Sequence, residues 1–438
     1  MREGPEPGKT DLDLPEPLII PRAEHPISRK NIDREALKVL YRLRDAGFTA
    51  YLVGGGVRDL FLGKKPKDYD ISTDAKPGQL RKLFRNSRVI GRRFRLVQVF
   101  FHGGKIIEVS TFRRRSEYDL NGKDEVLASN NTFGSPAEDA FRRDLTINGL
   151  FYEIETFSII DYTGGVADLQ NRIIRLIGEP SRRITRDPVR MLRVIRHAAR
   201  SGFNIEEQTW AAIERHREEL ALCPDSRLRD ELLKDLRGGA SQDWLRLAVA
   251  SGLFIVLFPR YRAALATEEQ SPAFDLLSRL LQVVDRLHKE GQQLPDHFLL
   301  ALLMLPWAET KLNLRRDRQG GEAHQFAREL RSDLDEMLGM LNVNRAAKET
   351  MTSLLVQLPT FLQHHGKGSW PKWLKRKSYF NEAFQFSRLY QEAQGGTPVE
   401  TVNLAPPHRT RVKKRSRRGS RTPAFSSKKG GIFGLKGK

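Results

Sequence analysis

The sequence predicts an α+β protein: a small mixed α/β head, then an all-helical neck and body, then a disordered basic C-terminal tail. Short β-rich runs with glycine turns are confined to the first part of the chain, and helical periodicity takes over after residue 180. The last stretch, residues 409–438, holds twelve Lys or Arg and no acid. We therefore expect a flexible leader at 1–20, the head at 21–175, the neck at 176–240, the body at 241–395 and the tail at 396–438.

The charge of the chain indicates a polyanionic partner. Among 438 residues there are 75 Lys and Arg against 54 Asp and Glu, a formal net charge of +21. Residues 409–438 contribute +12 of this, which leaves +9 (21 − 12) on the rest of the chain. Nucleic acid is the first candidate and an anionic membrane the second. The tail has no amphipathic pattern and no lipidation signal, so nucleic acid is favoured.

Composition also limits where the protein works. The longest apolar stretch, residues 298–307, is too short to cross a bilayer, so no membrane span is expected. The first residues are acidic and proline-rich, without the apolar region of a signal peptide. The single cysteine, Cys223, excludes an internal disulfide framework and a cysteine-based metal cluster. We expect a cytoplasmic protein.

In the head, the pattern predicts a helix over 33–46, a strand over 49–53 and a helix that begins at 57–62. The runs 98–101 and 105–111 flank His102-Gly103-Gly104 and predict a hairpin, because glycine adopts the positive φ of tight turns. Residues 151–154 and 157–162 predict another strand pair.

Beyond residue 180 we expect no strands and no regular repeat. Helices are predicted over 188–200, 206–222, 227–236, 242–257, 274–289, 297–305, 328–341 and 345–363.

A glycine-rich loop opens the densest group of candidate functional residues. Gly54, Gly55 and Gly56 follow a predicted strand and lead into a helix that bears Arg58. Glycines let backbone N–H groups approach a phosphate, and an arginine one turn into the helix can donate twice to phosphate oxygens. A run of glycines alone is usually a turn, so the interpretation depends on the residues that follow.

Three carboxylates indicate a metal site. Asp68 and Asp70 flank Tyr69, and side chains alternate along a strand, so both aspartates should share one face. Glu108 lies in an apolar run on a later strand. Adjacent carboxylates repel unless a cation such as Mg²⁺ lies between them, and a third acid would complete a two-metal site for phosphoryl or nucleotidyl transfer. The alternatives are a solvated loop for the pair and an edge-strand charge for Glu108.

Two further groups are candidates for nucleotide contacts. Arg143, Asp144 and Asn148 can converge on one side of a helical segment, where Arg suits phosphate and Asp or Asn suits a ribose hydroxyl. Asp187 and Arg190 are three residues apart and share a helix face, an acceptor beside a donor of the kind that reads a base edge. The alternatives are an ordinary surface helix start for the first group and, for Asp187 before a proline, an N-cap.

Basic residues outside these groups are candidates for RNA binding. Arg92, Arg93 and Arg95 surround an aromatic residue after a glycine, which favours a strand lining a phosphate channel over a solvated basic strand. The tail adds the run that contains Lys413, Lys414, Arg415, Arg417 and Arg418.

With these motifs in view, the chain resembles bacterial poly(A) polymerases of the class II nucleotidyltransferase family, kin of tRNA CCA-adding enzymes. The resemblance covers roughly residues 20–260 and includes LVGGGVRDLFLGKKPKDYDIST, GRRFRLVQV, IIEVSTFR, RRDLTINGL and DPVRMLR.

The resemblance implies a role for each group of candidate residues. It implies catalytic metal ligands at Asp68 and Asp70 with Glu108 as the third acid, and triphosphate contacts at Gly54, Gly55 and Arg58. It implies sugar and phosphate contacts at Arg143, Asp144 and Asn148. It implies that Asp187 and Arg190 form the template that reads the incoming base.

The implied reaction is template-independent addition of AMP from ATP to RNA 3′ ends, with two Mg²⁺ ions. Family members commonly have Glu before the template aspartate, and here it is Arg186. A tRNA CCA-adding enzyme that uses CTP and ATP therefore stays open as an alternative. The non-enzyme alternative is an RNA-binding protein with an inactive nucleotidyltransferase head.

Overall fold

The computed structural model describes residues 14–91, 95–114, 133–265, 271–314, 316, 318, 320–365 and 369–404. Its head is one eight-stranded mixed sheet with the spatial order β1-β8-β7-β2-β3-β6-β5-β4. The strands are β1 (Leu18–Ile20), β2 (Ala50–Val53), β3 (Asp70–Thr73), β4 (Ser87–Ile90), β5 (Leu96–Phe100), β6 (Ile106–Thr111), β7 (Leu150–Glu153) and β8 (Ile159–Asp161). The predicted hairpin is confirmed as β5 and β6, which pair antiparallel, and the second predicted pair as β7 and β8.

Within the described residues, five helices accompany the sheet: α1 (Arg34–Asp45), α2 (Gly55–Phe61), α3 (Pro77–Leu83), α4 (Pro136–Arg142) and α5 (Gly165–Asn171). Helix α1 begins after Asp33, whose carboxylate accepts from the backbone N–H groups of Glu35 and Ala36 at 2.9 and 3.2 Å. Its apolar side packs on one face of the sheet, so the cleft described below lies on the other face.

The remainder of the chain is mainly helical. Its helices are α6 (Pro180–Arg186), α7 (Val189–Ser201), α8 (Glu207–His216), α9 (Asp225–Leu236), α10 (Ser241–Ala250), α11 (Leu253–Leu257), α12 (Pro272–Lys289), α13 (Asp296–Leu312), α14 (Gly320–Met337), α15 (Arg345–His365), α16 (Lys372–Lys375) and α17 (Phe380–Ala393). The helix predicted over 242–257 is two helices, because Gly252 takes a φ of +79° and ends the first. One continuous apolar core includes side chains from the head and from the helical part.

The expectation that strands stop after residue 180 is wrong in one place. Strand β9 (Ile173–Ile174) pairs in parallel with β10 (Asn204–Ile205), which lies between α7 and α8. Two residues on each side are too few to give a recognisable period, so only the tertiary contact defines this pair.

Both predicted ends of the folded region need correction. Leu18–Ile20, inside the predicted leader, is the edge strand β1 and pairs with β8. Residues 396–404, inside the predicted disordered tail, pack on the body: Val399 is fully buried, and its N–H donates to Glu392 Oε2 at 2.8 Å. The N–H of Val402 donates to Gln292 Oε1 at 2.9 Å. A few aliphatic residues thus attach this segment to the body, although the residues around them are too polar for the sequence to predict a folded segment.

No helix in the described part of the chain combines the length and the apolar character needed to cross a bilayer.

Candidate active site

A cleft of about 560 Å³ opens on the face of the sheet opposite α1. The sheet, the turn after α4 and helices α7 and α9 all contribute to it. Its charged lining consists of Asp70, Glu108, Arg113, Asp139, Arg142, Arg143, Asp144, Asp187, Arg190, Arg193 and Arg227. Among the described residues, six arginines and five acids line it, so the cleft suits a ligand with several negative charges.

The parallel pairing of β3 with β6 brings two of the three predicted carboxylates together. Asp70 and Glu108 are register partners, and both line the cleft. Because β6 lies between β3 and β5, Glu108 is inside the sheet, which excludes the alternative of an edge-strand charge. Its Oε1 accepts from Gln98 Nε2 at 2.9 Å.

Asp68 lies just before β3 and is exposed. The intervening Tyr69 is buried, with its hydroxyl 3.4 Å from the Asn31 carbonyl oxygen, so the alternation expected from the sequence is present. Asp68 is outside the lining of the cleft. In the part of the chain that the structure describes, no three His, Cys, Asp or Glu are already gathered as a metal site.

The electrostatics of Asp70 reflect its neighbours. Desolvation within the cleft and the negative charges of Glu108 and Asp68 raise its pKa, and Arg143 acts in the opposite direction. Carboxylates that raise one another's pKa in this way gain from a shared cation, and oxygen donors are the ligands that Mg²⁺ prefers. The donor set at this position therefore fits Mg²⁺.

The glycine loop brings the backbone at Gly54 close to the side chain of Arg143. Gly54 has a φ of +70° and begins α2, and a Cβ at this position would meet Arg143 Nη1 at 3.0 Å. The positive φ favours glycine at this position, and a larger residue would also press on the Arg143 guanidinium. Of the residues predicted to contact the triphosphate, Gly54 and Gly55 line the cleft, whereas Arg58 is outside its lining.

Arg58 is held behind the loop. Its Nη1 donates to Asn148 Oδ1 at 2.6 Å, and its Nη2 pairs with Asp59 at 2.8 Å. Nη1 also contacts His197 Nδ1 at 3.3 Å. Burial, then Arg58 and two other arginines, hold the pKa of His197 well below its usual range, so the neutral ring accepts this contact. Arg58 therefore positions Asn148, which itself lines the cleft.

Arg143 lines the cleft. Its Nη2 donates to Asp139 Oδ2 at 3.0 Å and to Ser72 Oγ at 3.3 Å, and its guanidinium is 5.3 Å from the centre of the Phe151 ring. Asp139 was not among the predicted site residues. It lies four residues earlier on α4, and this spacing, which places two side chains on one helix face, is the signal in the sequence that could have found it.

Asp144 connects the head to the neck. It accepts from Arg190 Nε at 2.7 Å and from Arg193 Nη1. Burial alone would raise the pKa of this carboxyl, but the two guanidinium groups outweigh it and lower the pKa to about 2. Both carboxylate oxygens are therefore engaged by arginines.

Asp187 and Arg190 both line the cleft and lie 4.0 Å apart, but each has a stronger partner elsewhere. Asp187 makes a two-point pair with Arg227 of α9, with both N···O distances 2.8 Å. Pro188, rather than Asp187, holds the position before the first residue of α7. Arg227 is forty residues away in sequence, and no local pattern could have connected it to Asp187.

Of the basic residues predicted to bind RNA, only Arg95 lies in the described part of the chain. Arg95 is exposed directly before β5. Arg92 and Arg93 lie outside the described residues, as do Lys413, Lys414, Arg415, Arg417 and Arg418.

A mixed sheet with paired carboxylates above an arginine-lined cleft, followed by a helical neck, defines a nucleotidyltransferase. Residues 50–175 match the family model described as the Poly A polymerase head domain. Residues 202–265 match a second model, described as a probable RNA and SrmB-binding site of polymerase A.

The chain is 40% identical over 397 residues to Poly(A) polymerase I of Escherichia coli O6:H1, a match that covers 89% of this chain and 84% of that protein. The chain therefore belongs to the poly(A) polymerase I family. A CCA-adding enzyme of Lactobacillus helveticus is 41% identical over 201 residues, which is 46% of this chain and 49% of that enzyme.

Among solved structures, the Bacillus stearothermophilus CCA-adding enzyme in complex with CTP aligns with a TM-score of 0.55. The alignment covers 83% of this chain and 79% of that one at 24% identity, which establishes a shared fold.

Proposed function

We propose that this protein adds AMP from ATP to RNA 3′ ends without a template, that is, by polyadenylation. The observation that carries the proposal is the extent of similarity: the match to poly(A) polymerase I runs through the head, the neck and the body. The match to the CCA-adding enzyme covers less than half of the chain. In the reaction, the RNA 3′-hydroxyl oxygen attacks the α-phosphorus of ATP, a new phosphodiester bond forms, and pyrophosphate leaves.

We assign the metal site to Asp68, Asp70 and Glu108, which would hold two Mg²⁺ ions. When bound, such ions lower the pKa of the attacking hydroxyl and neutralise the charge that develops on the phosphates. The support is the raised pKa of Asp70, to which the negative charges of Glu108 and Asp68 contribute.

Arg143 and the loop at Gly54 and Gly55 are assigned to the triphosphate. Arg143 is held by Asp139 and Ser72, so its position costs little further ordering when ATP binds. Asn148 is assigned to the sugar, with Arg58 as the residue that positions it. Asp144 is a positioning residue, because Arg190 and Arg193 engage its carboxylate.

Asp187 and Arg190 are assigned to the adenine base. One supplies an acceptor and the other donors, and each is fixed by a partner, Arg227 and Asp144 respectively. A fixed polar face rejects a mismatched base because its own groups would be left without hydrogen bonds. We therefore propose ATP as the preferred substrate and CTP as a poor one.

The basic tail is assigned to the capture of RNA. Twelve cations without an acid would release counterions from RNA, and each neutralised phosphate of a single strand adds about 0.7 to the salt dependence of binding. A cytoplasmic location belongs to the same proposal and is supported by the single, free cysteine.

Incubation with one labelled nucleoside triphosphate at a time tests the proposal. The substrates are a generic RNA and a tRNA that lacks its CCA end. We expect long adenylate extension on both with ATP alone and little incorporation from CTP. Ordered use of CTP and then ATP on the tRNA alone would establish the CCA-adding alternative. RNA binding without incorporation of any nucleotide would establish the inactive alternative.

A further inference from the structure

A short basic turn in the body displays a tryptophan to solvent. Trp373 lies in α16 and exposes 55% of its surface, the largest exposure of a tryptophan in the described residues. Lone exposed apolar side chains are common and mean little by themselves. The residues around Trp373 nevertheless indicate that its exposure has a function.

The turn is firmly attached to the body. Leu374, next to Trp373, is fully buried in the core. On the other side, the Trp370 ring packs 5.2 Å from the ring of Phe361 and 5.5 Å from that of Phe380. The ring of Trp373, by contrast, has no aromatic or cationic partner in the part of the chain that is described. The packing of Leu374 and Trp370 therefore explains where the turn lies, but it does not explain why an exposed tryptophan occupies position 373.

The charge around Trp373 has one sign. Lys372, Lys375, Arg376 and Lys377 are all exposed, and none forms an ion pair within the described residues. The sequence has no Asp or Glu between Glu349 and Glu382.

Some other cations in the body do have acidic partners. Lys348 pairs with Asp335 at 2.7 Å, and Arg286 pairs with Glu392 at the same distance. The segment at 372–377 thus carries only positive charges, none of them in an ion pair within the described residues, with one large aromatic ring among them.

We propose that this surface, the Trp373 patch (Lys372, Trp373, Lys375, Arg376 and Lys377), binds single-stranded RNA on the 5′ side of the end that enters the cleft. Bases stack on an exposed aromatic ring regardless of sequence, and neighbouring cations bind the phosphates. The inference rests on the proposed function for the identity of the polymer. An anionic membrane would need a wider apolar face, and Leu374, beside the tryptophan, points into the core.

A contact outside the cleft has a distinctive kinetic consequence. It adds affinity only for RNA long enough to reach both places, and it makes no contact with ATP. The KM for long RNA should therefore depend on the patch, whereas the KM for a primer that fills only the cleft, the KM for ATP and kcat should not.

Trp373→Ala in the full-length protein tests the inference, with primers lengthened stepwise. We expect the KM for long RNA to rise about tenfold, since base stacking on one aromatic side chain is worth that order of affinity. The shortest primers should be unaffected. Trp373→Phe should keep most of the affinity, because a ring remains. The exposed position makes a folding defect in either variant unexpected, and thermal unfolding checks this.

The charges are tested with a matched pair of double variants in the body. Lys372→Gln with Lys375→Gln should reduce the salt slope of RNA binding by about 1.4, from about 0.7 for each phosphate contact. Lys289→Gln with Arg328→Gln removes the same charge from exposed positions on α12 and α14 and should change the slope less.

Equal effects of Trp373→Ala on short and long RNA, or none on either, would overturn the inference. Loss of binding to phosphatidylglycerol vesicles with RNA affinity unchanged would overturn it in favour of a membrane. Fluorescence anisotropy with labelled RNA keeps the two proposals separate. A wild-type protein that adds no AMP contradicts the proposed function, while the RNA affinity of the Trp373 variants still decides the patch.

Discussion

The Nε atom of Arg190 donates to Oδ1 of Asp144 over 2.7 Å, so the first turns of helix α7 are tied to the head by an ion pair at the cleft. Arg193, one turn further along the same helix, pairs with the other oxygen of Asp144. A single carboxylate thus holds two arginines of the neck, and much of the geometry of the cleft depends on it.

Asp144→Asn is expected to destabilise the protein by about 3 kcal/mol, because two poorly solvated guanidinium groups lose their nearest counter-charge and keep only the longer contacts with Asp187 and Glu231. Chemical denaturation measures this. The matched control is Asp45→Asn, which removes an exposed carboxylate from the pair with Arg44 and should cost much less, because solvent screens an exposed ion pair. Equal costs for the two variants would contradict the importance of the Asp144 pairs.

The same carboxylate should make stability depend on acid pH. Its pKa in the folded state is about 2, lowered from the usual 3.8. A lowered pKa stabilises the fold above 3.8, and this contribution is lost as pH falls towards 2. We expect the stability difference between wild type and Asp144→Asn to shrink by about 2 kcal/mol between about pH 5 and pH 2. A difference independent of pH would contradict the assigned pKa.

Asp70→Asn should abolish nucleotide addition and leave RNA affinity nearly unchanged, since the loss of one anionic ligand weakens a Mg²⁺ site and the RNA is held by cations elsewhere. Primer extension and RNA binding are measured in parallel. Asp74→Asn is the control, because Asp74 directly follows the other end of β3 and is exposed outside the cleft. Activity of Asp70→Asn within tenfold of wild type would remove Asp70 from the catalytic set.

Arg227→Ala should raise the KM for ATP and reduce the preference for ATP over CTP, because Asp187 loses its two-point partner. The change should be about tenfold, the size expected for one charged hydrogen-bonding group. Arg229→Ala is the control on the same helix, where the side chain pairs with Asp230. If the two variants select nucleotides alike, Asp187 does not depend on Arg227.

Gly54→Ala should cost about 1–3 kcal/mol of stability and also reduce kcat/KM by about tenfold or more. The positive φ causes the first effect, and a Cβ 3.0 Å from Arg143 Nη1 causes the second. Gly63→Ala separates them, because Gly63 has a φ of +67° but nothing within 4 Å of a Cβ. Stability should fall in both variants and activity only in Gly54→Ala; equal activities would exclude the contact with Arg143.

The sequence was a good guide to features with a local period. The alternation of Asp68, Tyr69 and Asp70 and the helix that begins after Asp33 were predicted because each depends on neighbours within a few residues. The apolar run around Glu108 predicted the strand β6. The parallel pairing of β6 with β3 is what brings Glu108 beside Asp70.

Features that depend on distant contacts were not predictable in this way. The partner of Asp187 lies on a helix forty residues later, and the pair β9 and β10 is defined only by its tertiary contact. Val399 was assigned to a disordered tail because its neighbours are polar, yet the body buries it. Arg58 was expected to face a phosphate, but its donors are engaged by Asn148 and Asp59.

The separation in sequence of Asp70, Asp144 and Arg227 also governs when a working cleft can exist during synthesis. The carboxylate strands are complete once residue 111 has been made, but Arg227, the partner of Asp187, lies on α9, which ends at Leu236. A nascent chain released before that point has Asp70 and Glu108 but lacks the partner that fixes Asp187. The lining of the cleft is thus completed only after more than half of the chain has been made.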